Sequence, residues 1–105
     1  MTQSDDHQAG FNADFSHNEE LMFRVLARRN RLLGEWAARL MGLSDAESES
    51  YSKDLVRADF EGGGAKDVVL KLLGDLTGAG VEIDETRIRE ALKDKLVDAR
   101  RQLMG

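Results

Sequence analysis

The stretch that decides the fold is Ala27–Leu43, ARRNRLLGEWAARLMGL. Its apolar residues recur every three or four positions, which is the spacing of one face of an α-helix. The stretch contains Trp36, the only tryptophan of the chain, and it ends near Gly42, a residue type that commonly terminates helices. The chain has no proline, the residue type that most strongly interrupts a helix, so a long helix is possible. We therefore predict an all-α protein organised around this helix.

The first helix is predicted to begin near Ser16 or Asn18 and to stop at Gly42. Ser16 and Glu19 match the S-x-x-E capping box that often starts a helix. The predicted buried face is a stripe with apolar residues beside it: Met22, Val25, Leu26, Arg29, Leu32, Leu33, Trp36, Leu40 and Met41.

Two helices are predicted in the middle of the chain. Ser44 and Glu47 form a second capping box, which opens helix two. The triple glycine at residues 62–64 is predicted to end helix two and to act as a hinge, because glycine weakens a helix interior. Helix three is then predicted over Ala65–Leu76, where apolar residues again follow helical spacing.

A fourth helix completes the predicted fold. Asp84 is a suitable N-cap, and helix four is predicted from about Glu85 to Leu103. Amphipathic helices joined by short connections are typical of an all-α bundle. The predicted organisation is a four-helix bundle over residues 18–105, preceded by a flexible N-terminal tail over residues 1–17.

Composition and charge narrow the class of protein. A chain of 105 residues forms at most one domain, and the absence of cysteine excludes disulfide and thiol chemistry. No secretory signal and no apolar stretch near the roughly 20 residues of a membrane span is visible. We therefore expect a cytoplasmic protein without direct membrane insertion.

The acidic tail is the first candidate for function. Residues 1–20 contain five acidic residues and no Lys or Arg, whereas the net charge of the remaining residues is zero. This distribution disfavours nucleic acid as a partner and favours a positively charged protein surface. Phe11 and Phe15 would share one face of a helix, which predicts a segment that folds on a partner. The alternative, left open, is a terminus whose aromatic residues fold back on the bundle.

The cluster of Arg28, Arg29 and Arg31 is the second candidate. Three guanidinium groups within two helical turns can bind nucleotide phosphates, with Trp36 or Tyr51 near the base. The alternative is a solvated helix face with Arg29 extending over the core, and residue type alone favours this alternative.

No catalytic pattern is present in the sequence. No nucleophile stands beside a base, and the triple glycine lacks the preceding strand and the following G-K-[ST] of a phosphate loop. His7 and His17 are ten positions apart with only scattered acids nearby, which does not match a zinc site. We therefore expect no catalytic residue, no metal and no required cofactor, and we interpret the chain as a regulatory protein rather than an enzyme.

Taken together, these residues resemble the zeta subunit family of alphaproteobacterial F-type ATP synthases. The family's hallmark is R-R-N-K-L-L-G-x-W-A-A, followed by M-G-L-S and V-x-A-D-F-E, and preceded by F-x-H-x-E-E-L-x-F. The corresponding segments here are residues 28–38, 41–44, 56–61 and 15–23. Asn30 and Gly34 are uncommon choices inside a helix, which makes the resemblance specific.

The resemblance implies a regulatory role at the ATP synthase head. Zeta subunits are small four-helix proteins whose mobile N-terminal segment enters an interface between alpha and beta subunits, becomes helical and meets the rotating gamma subunit. Hydrolysis is then blocked, whereas synthesis can push the segment out. The resemblance also implies ADP or ATP as a regulatory ligand on the bundle. It places the protein in the cytoplasm, peripheral to the inner membrane through the ATP synthase, and we expect a monomer when it is free.

This interpretation assigns the candidate residues to two sites. The expected contacts with the head are Phe11, Asp14, Phe15, His17, Glu19, Glu20, Leu21 and Phe23. The expected nucleotide contacts are Arg28, Arg29, Arg31 and Trp36. The tail departs from the family pattern at Gly10 and Asn12, where helix propensity is low. The alternative is therefore a weak or non-inhibitory helical adaptor, or an adenine-nucleotide sensor.

Overall fold

The computed structural model describes the backbone of residues 2–105 and the side chains of residues 18–105. Helices account for nearly all of the described chain, which contains no strand, so the predicted all-α class is confirmed. The helices are α1 (Thr2–Met41), α2 (Asp45–Ala58), a π-helical turn (Asp59–Gly63), α3 (Gly64–Gly78) and α4 (Glu85–Met104). None of the helices described combines the length and the apolar character that a membrane span requires.

Helix α1 extends further towards the N-terminus than the sequence predicts. Its helical backbone begins at Thr2, so the predicted capping box at Ser16 does not mark the start of the helix. Gly10 lowers helix propensity by about 1 kcal/mol but does not exclude helical geometry, and no proline intervenes. The division of function at residue 17 stays a prediction, because the side chains of residues 1–17 lie outside the described part.

The triple glycine interrupts helical geometry between α2 and α3, as the sequence predicts, and the chain bends there. No loop separates α2, the π-helical turn and α3, so they form one kinked run, the described chain has three helical runs, and the predicted count of four separate helices is slightly wrong. The kink lies at Gly62, with φ of 109°, and Gly64 has φ of 67°. Both values lie in the left-handed region that glycine adopts at little cost. Glycine therefore permits the change of direction at this point.

The predicted helix ends elsewhere are confirmed by their hydrogen bonds. The backbone N–H of Glu47 donates to Ser44 Oγ at 3.2 Å, and the N–H of Ser44 donates to Glu47 Oε1 at 2.9 Å, which is the predicted capping box. The carboxylate of Asp84 accepts a 2.9 Å bond from the N–H of Arg87. Gly42, with φ of 73°, follows the last residue of α1. Local sequence chemistry therefore fixes these boundaries.

The core forms where α1 packs against both α2 and α4, with α3 against α4. The cluster at its centre comprises Leu33, Ala37, Leu55, Val68, Val69, Leu72, Leu76, Ile88 and Ala91. Two residues predicted to be buried, Met22 and Leu40, are 43% and 45% exposed. The small residues Ala37 and Ala38 are buried instead. The buried face of α1 is therefore rotated relative to the predicted stripe, because α2 and α4 cover the helix from two sides.

Gly34 lies where α1 and α2 come into backbone contact. A Cβ atom added to Gly34 would stand 2.7 Å from Cα and 2.9 Å from Oγ of Ser52. Ser52 is 2% exposed, and its hydroxyl donates to the carbonyl of Ser48 at 2.9 Å. No side chain fits between the two helices here, so the glycine is required for their separation.

We expect Gly34→Ala to destabilise the protein. The added methyl group must push α1 and α2 apart, at a cost of about 1–3 kcal/mol in the free energy of unfolding. Urea unfolding followed by circular dichroism measures this cost.

The matched control is Gly74→Ala in α3, where an added Cβ would meet nothing within 4 Å. Alanine raises helix propensity there, so stability should be unchanged or rise by up to about 1 kcal/mol. Equal effects of the two substitutions would contradict the contact described at Gly34.

Candidate functional site

An open groove lies on the surface between α1 and α2. Its volume is about 670 Å³, within the range of small-molecule sites. It is lined by Phe23, Arg24, Ala27, Arg28 and Arg31 of α1, by Ser52, Lys53 and Val56 of α2, and by Leu103 of α4. The α1 residues recur at helical spacing, so a single face of that helix supplies most of the wall.

Four cationic side chains line this groove, although the chain as a whole has a net charge of −5. Three of them form exposed ion pairs with carboxylates one turn away. The pairs, with N···O distances of 3.0, 3.8 and 3.6 Å, are Arg24–Glu20, Arg31–Glu35 and Lys53–Glu49. Exposed pairs of this kind contribute only about 0.3–0.5 kcal/mol each, so they leave the cations free to exchange partners.

Arg28 is held by a different kind of contact. Its Nη1 donates to Oε1 of Gln102 in α4 at 3.0 Å. The acceptor is a neutral amide, which orients the guanidinium without neutralising it. Arg28 therefore presents a positive charge at the centre of the α1 wall.

An aromatic pair forms one edge of the groove. The rings of Phe23 and Phe60 are stacked, with centroids 4.1 Å apart and an interplanar angle of 11°. Phe23 is 52% exposed and Phe60 is 43% exposed. The pair therefore offers an accessible apolar surface beside the cations, suited to a planar ring or an apolar side chain.

Arg29 points away from the groove and is 6% exposed. Its Nη2 lies 3.6 Å from Oδ2 of Asp59, and its Nε donates to Oδ1 of Asn30 at 3.1 Å. The Nδ2 of Asn30 donates to the same Asp59 oxygen at 2.8 Å. Burial lowers the pKa of Arg29, and the charge of Asp59 acts in the opposite direction. These three residues form a buried polar network that ties α1 to the π-helical turn.

The other predicted site residues occupy several environments. Trp36 is half-buried against the core, with the guanidinium of Arg87 lying 5.5 Å from its ring centroid, and it does not line the groove. Glu19 and Glu20 are exposed, and Leu21 is half-buried. The side chains of Phe11, Asp14, Phe15 and His17 lie outside the part of the chain whose side chains are described.

The structure thus regroups the predicted nucleotide residues. It brings Arg28 and Arg31 together with Phe23, and it separates them from Arg29 and Trp36. Arg24 lies one turn before Arg28 on the same face of α1, so helical spacing alone could have predicted it as a groove residue. Lys53 belongs to α2, and no pattern in the sequence indicates which face of α2 meets α1.

Comparison with known proteins identifies a family and a similar solved structure. A family model described as ATPase inhibitor subunit zeta matches residues 1–102. A structure described as "Solution NMR structure of the protein" shares 39% identity, with 80% of this chain and 95% of that chain covered and a TM-score of 0.70. No curated protein sequence matches the chain significantly. The family match contains the predicted tail and every groove residue except Leu103.

We expect Asp59→Ala to destabilise the protein by about 3–5 kcal/mol, because it leaves the buried Arg29 charge without its partner. Chemical denaturation measures the loss. The matched control is Asp54→Ala, which removes the exposed carboxylate 3.9 Å from Arg57 and should cost less than about 0.5 kcal/mol. Similar losses for the two variants would show that the network contributes no more than a surface pair.

Proposed function

Because the chain belongs to the ATPase inhibitor subunit zeta family, we propose that it is a regulatory protein that inhibits ATP hydrolysis by the F-type ATP synthase. The observation that carries this proposal is the family match over residues 1–102, which spans both the bundle and the acidic tail. The family name supports association with the ATP synthase. It also agrees with the expectation of a regulatory protein rather than an enzyme.

In the proposed mechanism, residues 1–17 are the inhibitory segment. They enter an interface between an alpha and a beta subunit, close to the gamma subunit, and obstruct rotation in the hydrolysis direction. The helical backbone of α1 supports this role, because residues 2–17 would extend about 24 Å beyond the rest of the helix. A segment that is already helical loses less conformational entropy on binding than a disordered one.

The chemistry of the segment supports a positively charged docking surface. Residues 1–20 carry five acidic residues and no Lys or Arg, and Phe11 and Phe15 would share one helix face. Phe23, which is 52% exposed, lies on the same helix just beyond the segment. We propose that it extends the contact surface of the segment together with Leu21. The protein then acts in the cytoplasm, peripheral to the inner membrane through its three partner subunits.

We also propose that the groove binds ADP or ATP as a regulatory ligand. The observation that favours this second function is the combination of four cations with an accessible phenyl ring. Arg28 and Arg31 would bind phosphate oxygens in this proposal, because guanidinium groups can do so with two parallel hydrogen bonds. Phe23 provides a surface on which an adenine ring can stack. In this proposal Arg29 supports the wall from behind rather than touching the ligand.

Inhibition is tested by titrating ATP hydrolysis of the isolated cognate head with the full chain. We expect the double variant Phe11→Ala, Phe15→Ala to require at least about tenfold more protein for half-inhibition, because two aromatic anchors are lost. Its circular dichroism spectrum should show an intact helical fold. Val97→Ala removes an exposed apolar side chain from α4 and should inhibit like the wild type. A double variant as potent as the wild type would refute the assignment of the segment.

Nucleotide binding is tested by isothermal titration calorimetry with ADP. We expect the double variant Arg28→Ala, Arg31→Ala to bind at least about tenfold more weakly, because two charge-assisted phosphate contacts are lost. The control is Arg89→Ala, an exposed arginine of α4 paired with Glu85 at 3.6 Å. The Trp36→Phe variant distinguishes the groove, which does not include Trp36, from the site predicted from the sequence, which does. Its affinity for ADP should equal that of the wild type. Undiminished binding by the double variant would exclude the groove.

A further inference from the structure

The groove between α1 and α2 is lined by cations and by no acid. Its cationic side chains are Arg24, Arg28, Arg31 and Lys53, and none of the described residues that line it is aspartate or glutamate. This composition contrasts with the chain as a whole, in which 20 acidic residues outnumber 15 basic ones. The groove therefore attracts an anion but offers no carboxylate to a metal ion that accompanies the anion.

The hydroxyl group in the described lining is also unsuited to bind a metal ion. Ser52 is 2% exposed, and its Oγ donates to the carbonyl of Ser48 at 2.9 Å. In nucleotide sites, Mg²⁺ is typically held by one or two carboxylates together with the phosphates. The described lining of the groove therefore presents no side-chain oxygen for that role.

Three carboxylates outside the lining already pair with the groove cations. With N···O distances of 3.0, 3.8 and 3.6 Å, the pairs are Arg24–Glu20, Arg31–Glu35 and Lys53–Glu49. A phosphate group that enters the groove must compete with these exposed carboxylates for the cations. A phosphate bound to Mg²⁺ competes poorly, because the metal offsets most of its negative charge and occupies oxygens that a guanidinium group would bind.

We propose that the groove is selective for metal-free phosphate, so that it binds free ADP or ATP in preference to their Mg²⁺ complexes. This selectivity rests on the nucleotide-binding function proposed above and specifies the form of the ligand. Arg28 and Arg31 require the same phosphate oxygens as Mg²⁺ does, so the protein and the metal compete for the nucleotide.

Competition with Mg²⁺ favours ADP over ATP as the regulatory ligand. A triphosphate carries more negative charge than a diphosphate and therefore binds Mg²⁺ more tightly. At a given concentration of free Mg²⁺, a larger fraction of ADP than of ATP is metal-free. The groove then responds to ADP through the metal state of the nucleotide, without a contact that recognises the number of phosphates.

The selectivity is tested by titrating the full chain with ADP and following the backbone amide NMR shifts of α1 and α2. One titration contains EDTA, and the other contains Mg²⁺ well above its own Kd for ADP. Sodium chloride keeps the ionic strength equal, because exposed ion pairs are sensitive to salt. We expect Mg²⁺ to raise the apparent Kd for ADP at least about tenfold. An equal Kd in the two conditions would overturn the proposal.

The same titration with ATP tests the preference for ADP. The ratio of the apparent Kd for ATP to that for ADP should rise as Mg²⁺ is added. A ratio that stays constant or falls would contradict selection through the metal state.

The Gln102→Glu variant tests whether the groove cations bind the metal-free phosphate. Gln102 accepts a 3.0 Å hydrogen bond from Arg28, and glutamate at this position would pair with that guanidinium without a change of shape. Its Kd for ADP in EDTA should rise at least about threefold, because the carboxylate competes with the phosphate. The matched control is Thr86→Glu at the other end of α4, which changes the net charge equally and should bind like the wild type. Equal weakening by both variants would overturn the assignment of the groove.

Inorganic pyrophosphate separates this proposal from the proposed nucleotide function. It carries phosphate charge but no adenine ring, and we expect it to shift the same amides in EDTA and to be released by Mg²⁺. Release of pyrophosphate by Mg²⁺ without any binding of ADP would support the metal-free selectivity and refute nucleotide binding. Binding of ADP that Mg²⁺ leaves unchanged would do the reverse, and no binding of either ligand would overturn both.

Discussion

The backbone contact between α1 and α2 at Gly34 is the constraint on which the site depends. A Cβ atom at this position would lie only 2.7 Å from Cα of Ser52, so only glycine lets the two helices lie this close. This separation brings Lys53 and Val56 beside Arg24 and Arg28. A wider separation would leave the α1 cations on an open helix face with no second wall.

The buried polar network fixes the other end of the same contact. Asp59 binds Arg29 and Asn30, and the next residue in the chain, Phe60, stacks on Phe23. The π-helical turn therefore makes two contacts with α1, one buried and polar, the other exposed and aromatic. Replacing such a network with apolar residues is often neutral for stability, so we attribute to it the fixed position of the turn rather than a large net stabilisation.

Continuity of α1 connects the bundle with the segment proposed to inhibit. The helix runs from Thr2 to Met41, and its groove face begins at Phe23, just beyond Leu21 and the exposed Glu19 and Glu20. A ligand that occupies the groove therefore contacts the same helix that carries the segment. Regulation at the groove and inhibition by the segment are thus two proposed functions of a single continuous helix.

The sequence by itself determined the helical class, the capping box at Ser44 and most of the helix ends, because these depend on hydrogen bonds and apolar spacing within a few residues. It also indicated the two candidate functional regions, the acidic tail and the arginine cluster. The helical spacing already placed Arg29 on the buried face, but only the tertiary structure decided that Arg28 lines a groove and that Asp59 pairs with Arg29, because both depend on which elements cover α1. The same reason applies to Lys53 and Phe60, which come from elements distant in sequence. The triple glycine illustrates both parts: its composition predicts the interruption of the helix, which the non-helical backbone at Gly62 confirms, but local composition does not give the direction in which α3 continues.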